Sequence, residues 1–64
     1  MRNLKLKMTL LESGITQKEL SQITQINEGL LSLGINGRYI FDAIQRSRIA
    51  KALKKPVSEL FQIG

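Results

Sequence analysis

Apolar residues recur at spacings of three and four along most of the chain, which is the period of amphipathic helices. In the first such segment, from Leu4 to Ser13, the inward-facing positions are Leu6 and Leu10, with Met8 and Leu11 as alternatives. A glycine follows the segment, and glycine is the residue type that most often ends a helix. We therefore predict a first helix over this segment.

The second segment has the clearest helix start in the sequence. Thr16 and Glu19 have the spacing of a capping box, in which each side chain accepts a hydrogen bond from the backbone N–H of the other residue. Ile15 precedes the cap and can pack against Leu20 as a hydrophobic staple. We predict a two-turn helix that begins after Thr16 and ends at about Thr24.

A third helix is predicted after a turn of only three residues. Asn27 is a good N-cap, and the charge of Glu28 in the first turn suits the positive end of the helix dipole. Leu31 and Ile35 have the spacing of an inner face. The pair Asn36-Gly37 closes the helix, because these two residue types best tolerate the left-handed conformation of a C-cap.

A fourth helix is predicted to begin after Asp42, which forms a second capping-box pattern with Gln45, and to end before Pro56. The loop before it covers residues 38–41, and a short fifth helix follows the proline. The apolar residues expected to cover the core in these two helices are Ile49, Ala50, Leu53, Val57, Leu60 and Phe61. The sequence thus predicts a compact all-α fold of five helices in a single domain, residues 1–64.

The composition narrows the possible functions. The 64 residues include no Cys and no His, which excludes disulfides, thiol chemistry and the usual structural zinc sites. There is no Gly-rich phosphate loop, and the five acidic residues include no pair at catalytic spacing on one helix face, so we expect neither an enzyme nor a cofactor. With no signal-like or membrane-spanning segment, we expect a cytoplasmic protein that does not bind membranes. A net charge of +5 favours a polyanion as partner.

The second and third predicted helices form a helix-turn-helix at about residues 16–37, a geometry that lays a helix into the major groove of DNA. Four blocks of sequence resemble the phage-repressor and Cro-like (XRE-type) helix-turn-helix family: GITQKELS at 14–21, INGRY at 35–39, RIAKAL at 48–53 and VSELF at 57–61. The resemblance covers nearly the whole chain. It implies a lambda-repressor-like domain that binds double-stranded DNA and reads the major groove with the helix from about 27 to 36.

The resemblance also implies two sets of DNA contacts. Phosphate contacts are expected from Gln17 at the start of the second helix and from Asn36 and Arg38 after the third, and Arg46 flanks the third helix with another suitable group. For Asn36 a plain C-cap is an equally good interpretation. The base contacts are expected from the outer face of the third helix, which is formed by Asn27, Glu28, Gly29, Ser32 and Leu33. This face contains no Arg, Lys or Gln, so phosphate contacts should dominate the affinity.

Three features depart from the family pattern. Gln25 stands in the turn where the family usually has glycine, so it must accept an unfavourable backbone conformation or reshape the turn. Gly34 stands where the family has a core aliphatic residue. Together with Gly29 it predicts a locally weak third helix, since each glycine costs about 1 kcal/mol relative to alanine. Leu10 and Ile35 stand where many members have an Arg–Glu ion pair, so packing should replace that pair.

The leading hypothesis is a Cro-like transcriptional repressor, of phage or prophage type, that binds its operator as a homodimer. Tyr39, Phe61 and Ile63 are the candidate contacts between the two copies, with a core position as the alternative for Phe61. The competing hypothesis is a helix-turn-helix fold used for protein contact, as in an antirepressor or antitoxin. In that case Leu30 and Leu33, exposed together, would form a docking face with the two glycines of the third helix, Gly29 and Gly34, for a partner helix or a second copy.

Overall fold

The fold is built from five α-helices, as the sequence predicts. The computed structural model describes residues 4–61, in which the helices are α1 (Leu4–Ser13), α2 (Gln17–Thr24), α3 (Glu28–Ile35), α4 (Ala43–Leu53) and α5 (Val57–Leu60). No strand occurs within residues 4–61. Within the same span, no helix has the length and apolar character needed to cross a membrane.

The three predicted N-caps are confirmed by their hydrogen bonds. The Thr16 hydroxyl accepts from the Glu19 N–H at 3.1 Å, and the Glu19 carboxylate accepts from the Thr16 N–H at 3.0 Å. Asp42 and Gln45 form the same reciprocal pair at 2.8 and 3.0 Å. The Asn27 side-chain oxygen accepts from two N–H groups in the first turn of α3, at 2.8 and 3.3 Å. Each cap stabilises its helix by about 1 kcal/mol and fixes where the helix begins.

The capping box of α2 also affects the titration of the Glu19 carboxyl group. The backbone N–H of Thr16, followed by its side chain, holds the pKa of Glu19 below the ordinary value for glutamate. The charged form of Glu19 is therefore the form that supports the start of α2.

One core lies between all five helices. Helix α1 packs against α3, α4 and α5, and α2 packs against α3 and α4. In α1 the inward-facing residues are Leu6 and Leu10, whereas Met8 and Leu11 are exposed, which resolves the two alternatives left by the sequence. The buried apolar residues are Leu6, Leu10, Leu20, Ile26, Leu31, Ile35, Phe41, Ile49, Ala50, Leu53, Leu60 and Phe61.

The turn between α2 and α3 is held in a conformation that its sequence does not favour. Gln25 has φ 59° and ψ 30°, which is left-handed backbone, so this residue accepts the unfavourable conformation and the turn is not reshaped. The Ser21 hydroxyl donates to the Ile26 carbonyl at 2.6 Å and ties the turn back to α2. Ile26 is buried next to it, and this burial anchors the strained turn to the core.

The end of α3 is closed by a Schellman motif, as the Asn36-Gly37 pair predicts. Gly37 is the left-handed residue, with φ 77°, whereas Asn36 keeps φ −88°. The N–H of Arg38 reaches the Leu33 carbonyl at 2.8 Å, and the N–H of Gly37 reaches the Gly34 carbonyl at 3.2 Å. This motif fixes the direction in which the chain leaves α3.

Gly34 faces the ring of Phe41, a residue that the sequence analysis assigned only to a loop. A Cβ placed on Gly34 would overlap two carbons of the Phe41 ring and lie 2.8 Å from a third. The ring is buried and makes edge contacts with Tyr39 and Phe61, at centroid separations of 5.5 and 6.0 Å. The aromatic side chain from the loop thus fills the space that an aliphatic residue at position 34 would occupy. Phe61 is a core residue, which confirms the alternative interpretation of that position.

Candidate nucleic-acid interface

The starts of α2 and α3 are joined by a side chain. Gln17, the first residue of α2, donates from Nε2 to the carbonyl of Glu28, the first residue of α3, at 3.4 Å. The first N–H groups of a helix have no partner inside it. At the start of α2 the Thr16 hydroxyl accepts a hydrogen bond from the third of these N–H groups, that of Glu19. The backbone N–H groups of Gln17 and Lys18 are the first two at the same helix end. This end therefore combines backbone N–H donors with a half-buried, oriented amide, a combination suited to an anion.

The residues expected to form the outer face of α3 are not all exposed. Glu28, Gly29 and Leu33 are exposed, whereas Ser32 is half-buried. Asn27 is exposed too, but its side-chain oxygen is already bonded within the N-cap, which leaves its amide N–H groups for an external contact. The face thus offers one carboxylate, one hydroxyl, one amide and one apolar side chain.

Leu30 departs from the predicted exposure. The competing hypothesis required Leu30 and Leu33 to be exposed together, but Leu30 is half-buried and packs against the core. The reason is its position one residue before Leu31, which turns it partly toward the neighbouring helices. An apolar docking face on α3 is therefore smaller than predicted and consists mainly of Leu33.

The two polar residues after α3 differ in what they contact. Asn36 donates from Nδ2 to the Ser32 carbonyl at 2.8 Å, so its amide caps its own helix, in agreement with the C-cap interpretation. Arg38 is exposed, and within residues 4–61 its guanidinium makes no hydrogen bond or ion pair. Arg38 is thus the side chain at this end of α3 that is available to an external anion.

Two arginines of α4 are occupied by backbone carbonyls. Arg46 is half-buried and donates to the Phe41 carbonyl at 2.6 Å, which braces the loop before α4. Arg48 donates to the Thr24 carbonyl at 3.4 Å, at the negative end of the α2 dipole. Arg46 retains further guanidinium donors, but its role as a phosphate ligand would be combined with this structural contact. No local sequence signal marks the contact of Arg48, because it joins residues 24 positions apart.

Few of the positively charged side chains form an ion pair within residues 4–61. Of the ten Lys and Arg, all but Arg2 lie in residues 4–61. The ion pair seen in this span is Lys5 to Glu59, at 3.8 Å between partly exposed groups. Because surface ion pairs of this kind contribute little, the remaining cations keep most of their field available for a polyanion.

The most exposed apolar residue in the described chain follows Arg38 closely. Ile40 is 86% exposed and Ile44, in the first turn of α4, is 66% exposed.

Among the predicted dimer contacts, Tyr39 is half-buried, and its hydroxyl donates to the Gln45 side chain at 2.9 Å. Ile63 lies outside the described residues. A signal for Ile44 was present in the sequence, since it falls off the inner stripe of α4.

Comparison with known proteins adds no assignment. The chain matches no protein-family model, no curated protein and no solved structure. Within residues 4–61 no group of three acidic, His or Cys side chains is placed to hold a metal ion.

Proposed function

We propose that this protein is a sequence-specific DNA-binding regulator of transcription, of the Cro-like repressor type, which reads the major groove with α3. The observation that carries the proposal is the arrangement of polar groups at both ends of α3. Gln17 is bonded to the first residue of α3, and Arg38, which follows the end of α3, makes no side-chain bond within residues 4–61. A helix with an exposed outer face between two phosphate-binding groups has the layout of a recognition helix.

Phosphate contacts supply most of the affinity in this proposal. The outer face of α3 lacks Arg, Lys and Gln, so its contacts to base edges are few: Glu28 to a cytosine amino group, Ser32 or Asn27 to either base of a pair, and Leu33 to a thymine methyl. Arg38 and the other unpaired cations on the DNA-facing side bind the backbone irrespective of sequence. Binding should therefore weaken steeply with salt and discriminate modestly between sequences.

The protein acts as a homodimer on DNA in this proposal. Helix α3 has eight residues and is about 12 Å long, so one copy reads only a few base pairs. Two copies on half-sites about 34 Å apart double the contacts. Since Phe61 belongs to the core, Ile40 and Ile44 replace it as the apolar contact between copies.

The division between phosphate and base contacts is tested by two alanine variants. If Arg38 neutralises one phosphate, Arg38→Ala should flatten the log–log salt dependence of binding by about one unit per copy and leave sequence preference unchanged. Ser32→Ala should keep the slope and reduce discrimination at one base pair by about 1 kcal/mol. Lys55→Ala removes an exposed charge beyond the far end of α4, so it is the matched control for Arg38 and should leave the slope near that of the parent protein.

The competing function, protein contact through α3, makes the opposite forecast for these variants. Leu33 is its remaining exposed apolar residue. If neither alanine variant changes DNA binding, and Leu33→Asp instead abolishes association with another protein, then α3 is a protein-contact surface and the DNA-binding proposal fails.

A further inference from the structure

Helix α1 carries a second apolar face that nothing within residues 4–61 covers. Leu4, Met8 and Leu11 are 60%, 59% and 73% exposed, although Leu6 and Leu10 of the same helix are buried. The three exposed residues are spaced by four and three, so they lie on one side of the helix, and we call them the outer stripe of α1. Single exposed apolar residues are normal, but a stripe along a whole helix marks a contact surface.

Charged residues border the outer stripe unevenly. Lys5 and Glu12 are seven residues apart, or two helical turns, and therefore lie on the same flank. Lys7 lies on the opposite flank. One flank thus has a positive group near the start of the helix and a negative group near its end.

We propose that the outer stripe of α1 binds the outer stripe of a second copy of this chain, with the two helices antiparallel. In such a pair, a two-fold axis passes near Met8 and relates the two copies. It places the Lys5–Glu12 flank of one helix beside the same flank of the other helix, which runs in the opposite direction. Lys5 stands three residues before Met8 and Glu12 stands four residues after it. Lys5 of each copy therefore lies opposite Glu12 of the other, with an axial offset of only one residue, or about 1.5 Å.

The charge pattern favours a second copy over other occupants. An acidic helix or an anionic lipid surface would meet Glu12 as a repulsive group, whereas in a second copy Glu12 meets Lys5, twice per pair. The contact of Lys5 with Glu59 of its own copy, at 3.8 Å between partly exposed groups, is weak enough for Lys5 to pair with Glu12 as well. On the other flank, the Lys7 side chains of the two copies approach each other and weaken the pair. The contact also uses only one helix of ten residues, about 15 Å long, so the area that it buries is far smaller than the roughly 800 Å² per partner of a standard interface.

The pair is therefore a weak one that forms when copies are concentrated or held near each other. The pairing itself does not depend on DNA binding. If the proposed function holds, it would link copies bound at neighbouring sites, since such copies have a high effective concentration.

Cysteine cross-linking tests the pair directly, because the natural chain contains no Cys. Met8→Cys places a thiol near the expected two-fold axis, and Ile23→Cys, on α2, is the matched control at nearly equal exposure, 57% against 59%. Both are made with Ile40→Gln and Ile44→Gln to remove the other apolar surface. At equal concentration under mild oxidation, Met8→Cys should form disulfide dimers at least about tenfold faster than Ile23→Cys. Equal rates would overturn the proposal.

Charge reversal tests the antiparallel register. In the Met8→Cys protein that also carries Glu59→Gln, adding Glu12→Lys should slow cross-linking, and adding Lys5→Glu as well should restore it, because the swap rebuilds both ion pairs. Glu59→Gln is included because Lys5→Glu would otherwise place a carboxylate beside Glu59. In the Met8→Cys protein with Glu59 unchanged, Lys7→Gln should accelerate cross-linking. Circular dichroism verifies that each variant is folded. If the double swap stays as slow as Glu12→Lys alone, or Lys7→Gln slows cross-linking, the antiparallel pair is wrong.

Discussion

Substitution of Gly34 by alanine should destabilise the protein, although the same change elsewhere in a helix usually stabilises it. An alanine in a helix interior is favoured over glycine by about 1 kcal/mol. At position 34, however, the added methyl would overlap the Phe41 ring. The ring has no free space to retreat into, because it is buried and contacts both Tyr39 and Phe61.

The expected magnitude follows from these two opposing effects. Overpacking costs about 3 kcal/mol at the upper end of its usual range, and the upper end applies here because the methyl would overlap two carbons of the ring. The propensity of alanine recovers about 1 kcal/mol of this. We expect Gly34→Ala to lower the free energy of unfolding by about 2 kcal/mol, which in a domain of this size lowers the Tm by roughly 10 °C. The control is Gly29→Ala, whose new methyl would meet only the Asn27 side-chain oxygen, at 3.0 Å. This variant should be at least nearly as stable as the parent.

Urea denaturation followed by circular dichroism measures these free energies. A double-mutant cycle with Phe41→Leu then assigns the cause, since a smaller side chain leaves room for the methyl. Gly34→Ala should be less destabilising in the Phe41→Leu protein by about 1 kcal/mol or more. If Gly34→Ala is as stable as the parent, or equally harmful with Phe41 and with Leu at position 41, then the ring does not fill the space beside Gly34.

Three further outcomes are expected. Gln25→Gly should stabilise the protein by about 1 kcal/mol in urea denaturation, because glycine accepts the left-handed backbone of the turn freely; an unchanged or lower stability would show that the turn is not strained. Glu19→Gln should lower the stability relative to the parent at pH values well above about 4.3. This loss should shrink as the pH falls through the lowered pKa of Glu19, because protonation removes the charge that the capping box stabilises. A loss that grows toward acid pH would contradict the direction of this shift. The double variant Ile40→Gln, Ile44→Gln should leave binding to a single half-site intact and weaken cooperative binding to two half-sites. Gel-shift titration with single and paired half-sites measures both; equal effects on the two DNAs would refute the contact of Ile40 and Ile44 between copies.

The helices could be predicted because their signals are local. Thr16, Asn27 and Asp42 mark helix starts through bonds to residues two or three positions away. Pro56 and Gly37 mark ends in the same local way, through restrictions on their own backbone. Apolar spacing then gives the inner face of each helix. These features depend little on what lies elsewhere in the chain.

The features that sequence reasoning missed depend on distant contacts. Phe41 reads as a loop residue until α3 places Gly34 opposite its ring. Leu30 has the spacing of an exposed residue, but it is partly buried and packs against the core. The contact of Arg46 with the Phe41 carbonyl was missed for a similar reason, because only the course of the loop brings that carbonyl within reach of the guanidinium. Within the candidate interface, the amide of Gln17 could be predicted as polar and near a helix start, but its bond to Glu28 required the arrangement of two helices.

The central claim, that the protein binds duplex DNA through its unpaired positive surface and α3, is tested most directly by a salt titration. Fluorescence anisotropy would follow binding to random duplexes and to a library of genomic fragments at about 50 and 200 mM salt. We expect all duplexes to bind at the lower concentration, a loss of affinity of at least tenfold at the higher one, and a small set of genomic fragments that still bind. No binding to any duplex at the lower salt concentration would contradict the account.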